Sequence, residues 1–153
     1  MSDYCIISKE IEFDAGHRVP SHRGKCSSPH GHRYKIKVKC RGKILDEAGE
    51  SDDGMVIDFS DLKEIMTEKI HEVLDHSFIV WKDDDRLLKH FEQQSDWRIV
   101  VLPHTPTAEN LARWCWQQVD YALKHRPKTL LELIEVAIWE TPTSVAYYTG
   151  KKI

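Results

Sequence analysis

The chain has 153 residues, enough for one domain with a substantial core, and we expect a single domain over residues 1–153. A hydrophobic fraction of 41%, a charged fraction of 31% and a net charge of −3 are typical of a soluble globular protein and argue against binding to nucleic acid or to an anionic membrane. No apolar run approaches the ~20 residues of a membrane-spanning helix. The cysteines are irregularly spaced and residues 1–7 do not resemble a signal peptide, so we expect a reducing, cytoplasmic setting.

Two predicted strands near the N-terminus carry a metal-binding pattern. Apolar and acidic residues alternate over residues 10–17, which predicts a half-buried strand with His17 on its inner face. Residues 18–29 have the composition of a loop, and a second alternating strand follows. His30 and His32 are two residues apart and therefore share one face of that strand. Paired as a hairpin, the strands bring the imidazoles together, and this ligand set favours a transition metal, most naturally zinc.

Cys26 lies in the loop between these strands and has two interpretations. As a fourth ligand it would close a structural zinc site of the CysHis₃ type. As a free thiol it would leave the fourth position open for substrate, and the nearby metal would favour the reactive thiolate. Its position in a loop favours the free thiol. A zinc-dependent hydrolase and a non-catalytic zinc module remain alternatives at this point.

Hydrophobic spacing and capping residues predict the remaining elements. We expect a turn over 42–54, a short strand over 55–59, and a helix that begins after an N-cap at Ser60 and ends before Asp75. The later elements are a strand at 78–81, a helix over 83–94, a strand at 98–102, a helix capped by Thr107, and a hairpin of strands 134–140 and 145–149. Hairpins separated by helices indicate an α+β fold with an antiparallel sheet and helices on one face.

Three further places could take part in chemistry. Asp75 directly precedes His76 and could orient its imidazole, although a solvated helix end is an equal alternative. Glu140 ends an apolar stripe, where it either reaches water or accepts two hydrogen bonds from a pterin-like or guanine-like ring edge. Backbone N–H groups over residues 107–109 could bind ring acceptors, or could serve only in ordinary helix capping.

Six motifs occur together in the order found in a known family. They are Phe13-Asp-Ala-Gly-His17, Cys26-x-x-x-His30-Gly-His32-x-Tyr34, Gly54-Met-Val-Ile-Asp58-Phe59, Leu74-Asp75-His76, Pro106-Thr107-x-Glu109-Asn110 and Trp139-Glu140-Thr141. Over nearly the whole chain they resemble the 6-pyruvoyltetrahydropterin synthase / 6-carboxytetrahydropterin synthase family. The resemblance implies a tunnelling fold, in which subunits assemble into barrels, typically a homohexamer of two trimers with active sites at subunit interfaces.

The resemblance also implies roles for individual residues. The implied zinc ligands are His17, His30 and His32. The implied catalytic residues are Cys26, as the base that abstracts a proton, and Asp75 with His76, as a relay for a second proton. The implied substrate-binding residues are Glu140, which anchors the pterin ring, and Thr107, Ala108 and Glu109, which help through their backbone.

The substrate implied by the resemblance is 7,8-dihydroneopterin triphosphate. Three residues separate Cys26 from His30, which resembles the queuosine-pathway branch that makes 6-carboxy-5,6,7,8-tetrahydropterin and releases acetaldehyde and triphosphate. The alternative is the pyruvoyl-forming branch, which has a longer spacer, whereas a folate-directed branch has Glu in place of Cys26. The segment 76–106 is longer than in compact members of the family, and Ala108 stands where a hydroxyl residue is common.

Overall fold

The computed structural model describes residues 3–126 and 130–151. The strands are β1 (Tyr4–His17), β2 (His30–Lys43), β3 (Ser77–Trp81), β4 (Ile99–Leu102), β5 (Glu132–Thr141) and β6 (Ser144–Tyr148). The helices are α1 (Phe59–Met66), α2 (Glu72–Leu74), α3 (Asp85–Phe91) and α4 (Ala108–Lys124), with a π-helical turn (Thr67–His71) joining α1 to α2 and a short 3-10 helix at Lys25–Ser27. Within the described ranges, no helix combines the length and the apolar character needed to cross a membrane.

The β1–β2 hairpin lies at the centre of the sheet. The two strands pair along their whole length in antiparallel register, from Tyr4 opposite Lys43 to His17 opposite His30. Their acidic and basic outer faces meet, as the alternation predicted, and Arg33 donates two hydrogen bonds to the Asp14 carboxylate. Cross-strand charge pairs and a continuous apolar inner face favour the same register.

The sheet is mixed, whereas the sequence predicted antiparallel pairing throughout. Its strand order is β4-β3-β1-β2-β5-β6, and β3 runs parallel to both β1 and β4. A parallel neighbour requires a crossover connection. The chain makes these crossovers through α1 and α2 before β3, and through α3 before β4. The long segment 76–106 therefore adds two strands beside the end of β1, and the predicted α+β class is confirmed.

The core lies between the inner face of the sheet and helices α1 and α4. Its fully buried side chains include Phe13, Tyr34, Ile36, Val38, Leu62, Met66, Ile70, Leu111, Cys115, Val119, Val136 and Ile138. These residues follow the period of two on the strands and the helical spacing on α1 and α4. Burial of this face also holds the inward-facing histidine of β1 in place, because His17 is only 1% exposed.

Two local predictions around residue 58 are wrong. Residues 55–59 form no strand, and Met55 and Phe59 remain exposed because this short apolar run has no strand partner. The N-cap of α1 is Asp58 rather than Ser60, and its carboxylate accepts a hydrogen bond from the Ser60 N–H at 2.7 Å. Asp and Ser are both good N-cap residues, so the sequence alone did not separate them. Thr107 caps α4 as predicted.

A partly buried ion pair connects the loop after β1 to α3. The Arg18 guanidinium donates hydrogen bonds of 2.7 and 2.6 Å to the two carboxylate oxygens of Asp84. Asp84 is also the N-cap of α3, where it accepts a hydrogen bond from the Leu87 N–H. The hydrogen bond from Arg18 holds the pKa of Asp84 below its ordinary value of 3.8. The pair therefore fixes the beginning of the loop that carries Cys26.

We expect Asp84→Ala to lower the free energy of unfolding by about 2–4 kcal/mol, because it leaves the partly buried Arg18 guanidinium without its partner and removes the N-cap of α3. Urea unfolding at pH 7 measures this loss, and the exposed neighbour Asp83→Ala should change stability by less than about 0.5 kcal/mol. Because folding lowers the pKa of Asp84, the contribution is complete above pH 3.8 and is lost as the pH falls through the folded-state pKa. Equal losses in the two variants, or a difference unaffected by acid, would contradict this assignment.

Candidate metal and substrate site

The histidines proposed as metal ligands lie together at one end of the β1–β2 hairpin. His17 pairs with His30, and Ala15 pairs with His32, so the inward imidazoles are neighbours. Their ligand atoms all lie within 4.8 Å of one another, and His17 Nε2 is 3.2 Å from His30 Nε2. Nitrogens bound to one tetrahedral zinc at about 2.0–2.1 Å lie about 3.3 Å apart. The spacing of this histidine cluster therefore fits a metal ion.

Hydrogen bonds from the opposite ring nitrogens direct two lone pairs toward the centre of the cluster. His17 Nδ1 lies 2.6 Å from the Pro106 carbonyl oxygen, and His30 Nδ1 lies 2.7 Å from the Ser28 carbonyl oxygen. Because a carbonyl can only accept, each Nδ1 carries the proton and each Nε2 presents a lone pair. His32 Nε2 is buried and has no hydrogen-bond partner among the described residues. A metal would satisfy this atom, which otherwise remains unpaired.

Burial keeps two of these imidazoles neutral. It lowers the pKa of His17, outweighing the opposing effects of the Pro106 carbonyl and the Glu140 carboxylate. Burial likewise lowers the pKa of His32, against the opposing effect of Glu140. The neutral imidazole is the form that binds metal, so the fold prepares these ligands before any ion arrives.

Glu140 reaches the cluster because it alternates in phase with the inward-facing Val136 and Ile138 of β5. The register between β5 and β6 shifts between Trp139 and Thr141, which leaves Glu140 outside that ladder. Glu140 Oε1 lies 3.5 Å from His17 Nε2 and 3.8 Å from His32 Nε2. One carboxylate thus faces two of the candidate metal ligands.

A cleft opens beside the cluster where β2 extends past the end of β5. The β2–β5 ladder ends with Lys35 opposite Trp139, so residues 30–34 have no partner in β5. His32 and Glu140 line the cleft together with the outward-facing residues Gly31, Arg33 and Lys35, and its volume is about 500 Å³. Small-molecule sites commonly have volumes of about 300–1,000 Å³. A ring-sized ligand in this cleft would contact Glu140 and lie next to His32.

The beginning of α4 lies next to the cluster. Pro106, which accepts the hydrogen bond from His17, immediately precedes the N-cap Thr107. Ala108 packs against the core, whereas Glu109 is exposed. The first N–H groups of a helix have no partner within the helix. The backbone over residues 107–109 therefore directly follows the carbonyl that orients His17.

Cys26 lies outside the histidine cluster. Among the described residues, the group whose ligand atoms lie within 4.8 Å of one another contains His17, His30 and His32 without Cys26. Cys26 is a half-buried free thiol in the short 3-10 helix of the loop. Its carbonyl oxygen accepts a hydrogen bond from the Val19 N–H at 2.8 Å, which holds the loop closed. This arrangement favours the free thiol over the closed four-ligand site.

Asp75 and His76 form the pair that the sequence suggested. His76 Nδ1 lies 2.7 Å from Asp75 Oδ2, and the other carboxylate oxygen accepts the Asp14 N–H at 2.9 Å. His76 has a φ of 56°, the only positive φ of a non-glycine residue in the described part of the chain. Such a conformation costs about 1–3 kcal/mol and persists only where neighbouring contacts hold it. Here the His76 N–H donates to the Asp14 carbonyl oxygen at 2.7 Å.

This pair is not brought to the histidine cluster of its own chain. His32 of the cluster lies at the margin of a shallow depression that His76 lines mainly with Asp14, Gly16, Gly31 and Arg33. These positions alternate along β1 and β2 with the inward-facing histidines, so the depression lies on the outer face of the sheet. The His76 side chain is 75% exposed there. The pair therefore lies outside the group of ligand atoms within 4.8 Å of one another, in a depression of the outer face that His32 also lines.

The sequence interpretation missed several groups around these sites. The carbonyl groups of Pro106 and Ser28 orient two ligands, but a backbone acceptor has no signature in residue type. His71, which received no role, places Nε2 3.8 Å from Asp75 Oδ2. Its four-residue spacing from Asp75 on a predicted helix was a signal that could have identified it.

Comparison with known proteins gives full-length matches. A family model described as 6-pyruvoyl tetrahydropterin synthase matches residues 6–151. A Haemophilus influenzae relative named 6-carboxy-5,6,7,8-tetrahydropterin synthase is 36% identical over 144 residues, covering 93% of this chain and 96% of that protein. A Synechocystis relative of the same name is 31% identical over 148 residues, covering 97% and 95%.

Solved structures give the same result for the fold. The crystal structure of an uncharacterized protein from Wolinella succinogenes has a TM-score of 0.76 at 27% identity, covering 98% of this chain and 100% of that one. The structure of 6-pyruvoyl tetrahydropterin synthase from Caenorhabditis elegans has a TM-score of 0.68 at 26% identity, covering 98% of each chain. With a matching family model over nearly its whole length, the chain belongs to the 6-pyruvoyl tetrahydropterin synthase family.

Proposed function

We propose that this protein is a lyase of the queuosine pathway that converts 7,8-dihydroneopterin triphosphate to 6-carboxy-5,6,7,8-tetrahydropterin. Acetaldehyde and triphosphate are released, and the atoms balance when one water molecule is taken up. The relatives from Haemophilus influenzae and Synechocystis are named for this product. The observation that carries the proposal is the three-histidine cluster, of which His32 lines the cleft beside Glu140.

We propose zinc as the metal held by His17, His30 and His32. Three neutral imidazoles with a fourth position left for substrate are typical of catalytic zinc sites. When bound, zinc would act as a Lewis acid toward the hydroxyl groups of the substrate side chain and make the neighbouring protons more acidic. The orientation of His17 and His30 by carbonyl acceptors and the unpaired Nε2 of His32 support this assignment.

The remaining residues of this chain position the ring and move protons. Glu140 would accept two hydrogen bonds from adjacent N–H groups of the pterin, and N–H groups of Thr107, Ala108 and Glu109 would bind ring acceptors. Holding the ring in the cleft would place the substrate side chain against the histidine cluster. Cys26, as thiolate, would remove a proton from that side chain.

A second proton would be handled by His76, which Asp75 orients. Partial burial raises the pKa of Asp75, but the Asp14 N–H and the His76 imidazole outweigh it and leave the pKa below its ordinary value. The carboxylate therefore stays ionised and can stabilise the imidazolium. Because the pair faces away from its own cluster, we propose that it serves the cluster of a neighbouring subunit in a cytoplasmic homohexamer of two trimers. The 75% exposure of His76 supports an encounter with another subunit.

Product analysis tests the proposed reaction. Incubation of the zinc-loaded protein with 7,8-dihydroneopterin triphosphate should give equimolar 6-carboxy-5,6,7,8-tetrahydropterin, acetaldehyde and triphosphate, measured by liquid chromatography with mass spectrometry and an enzymatic acetaldehyde assay. Triphosphate without acetaldehyde would instead identify the pyruvoyl-forming reaction. Release of neither product would reject the lyase.

Substitution of Cys26 separates its two interpretations. Cys26→Ala should lower kcat by about 10²–10⁴-fold, the usual contribution of a general base, while one zinc per chain remains bound. Zinc content is measured by atomic emission after gel filtration. The exposed Cys5→Ala on β1 is the control and should match the wild type in both readouts. Loss of zinc from Cys26→Ala would favour the structural four-ligand site.

Mixing two inactive variants tests whether the relay acts between subunits. Cys26→Ala and His76→Ala should each be inactive alone, but hexamers reassembled from an equal mixture should regain about a quarter of the wild-type activity. This fraction follows because one site needs an intact Cys26 from one subunit and an intact His76 from another. Reassembly without any recovery would place both residues in one chain's site.

A further inference from the structure

We infer that Glu140 is a ligand of the metal in the resting protein and that the pterin ring takes this carboxylate away when it binds. Substrate binding would then open the fourth metal position. The inference rests on the proposed function for the identity of the ring, but its first part concerns only the metal and this chain's own carboxylate.

His17 Nε2 and the Glu140 carboxylate face one another with no proton between them to form a hydrogen bond. His17 Nε2 presents a lone pair, because its Nδ1 donates to Pro106, and the Glu140 carboxylate can only accept. The two atoms nevertheless lie only 3.5 Å apart. Glu140 Oε1 is 3.8 Å from His32 Nε2, which is beyond hydrogen-bond range and leaves that nitrogen unpaired. A cation between these atoms would satisfy all of them at once.

The distances from Glu140 to the two histidines are close to those between ligands of one metal ion. Nitrogen and oxygen ligands of one tetrahedral zinc lie about 3.3 Å apart, and the distances of 3.5 and 3.8 Å from Glu140 are only slightly longer. Glu140 is not part of the group whose ligand atoms all lie within 4.8 Å of one another, so it approaches from the side of His17 and His32. Its side chain is 27% exposed, and none of the hydrogen bonds among the described residues holds its carboxylate. The Glu140 carboxylate is therefore free to move the few tenths of an ångström that separate it from a ligand position.

The metal and the ring edge of a bound pterin would compete for the Glu140 carboxylate. Glu140 faces both the cluster and the cleft of about 500 Å³. A two-point hydrogen bond to a ring edge uses both carboxylate oxygens. Each oxygen keeps a second lone pair, but turning both oxygens toward the ring edge redirects the carboxylate into the cleft and weakens its donation to the metal. Ring binding would therefore release the metal ligand, and the empty cleft would favour its return.

Zinc affinity tests the resting ligand directly. Competition with a chromophoric chelator should show that Glu140→Gln binds zinc at least about 10-fold more weakly than the wild type, because a neutral amide oxygen is a poorer ligand than a carboxylate. Glu135→Gln is the matched control on the same strand, where Glu135 pairs with Lys39 and should not affect zinc. Equal zinc affinity in the wild type and Glu140→Gln would overturn the inference.

Cobalt substitution follows the proposed exchange. The visible spectrum of the cobalt-loaded resting protein should differ between the wild type and Glu140→Gln, and addition of pterin, which lacks the hydroxylated side chain, should change the wild-type spectrum. Identical resting spectra, or a wild-type spectrum that pterin leaves unchanged at saturation measured by pterin fluorescence, would overturn the inference. Neither readout requires turnover, so failure of the lyase in product analysis remains distinguishable from failure of this ligand assignment.

Discussion

The antiparallel pairing of β1 with β2 determines where every part of the site lies. Because His17 is opposite His30 and Ala15 is opposite His32, three imidazoles face the same end of the core. A slip by one residue would send one strand's side chains to the other face of the sheet. The same inner face carries the buried core residues Tyr34 and Ile36. The strand register that buries the core is therefore also the register that brings the histidines together.

The ligands are oriented by backbone groups from distant segments. Pro106 leads into α4 and Ser28 ends the Cys26 loop, yet their carbonyl groups fix the tautomers of neighbouring histidines. Arg18 connects that loop to α3 through Asp84, and it also donates to the Ser27 carbonyl at 3.2 Å. The cluster is thus held on several sides by elements that are far apart in the chain, and such support keeps ligands in a productive geometry.

The candidate site residues are distributed over both faces of the sheet. The histidine cluster and Glu140 lie on the inner side, whereas His76 lies in an outer-face depression that His32 also lines. The Asp14 N–H donates to the Asp75 carboxylate and the Asp14 carbonyl accepts from the His76 N–H, which holds His76 in a conformation that it would not adopt unaided. Under the proposals above, a subunit would become competent only when substrate displaces Glu140 and a neighbouring subunit supplies the Asp75–His76 pair.

The sequence by itself determined the features that depend on local periodicity. Alternation with a period of two predicted the convergence of His17, His30 and His32, and helical spacing with Thr107 as N-cap predicted α4. The apolar run at 55–59 was misread, because three or four apolar residues do not distinguish a strand from a connection until a partner strand is known. Tertiary structure alone decided the parallel addition of β3 and β4, since pairing between distant segments leaves no local pattern. Tertiary structure also decided which carbonyl groups orient the histidines. It placed His76 on the outer face of the sheet, because the face on which a residue lies after a crossover depends on packing rather than on its spacing in the chain.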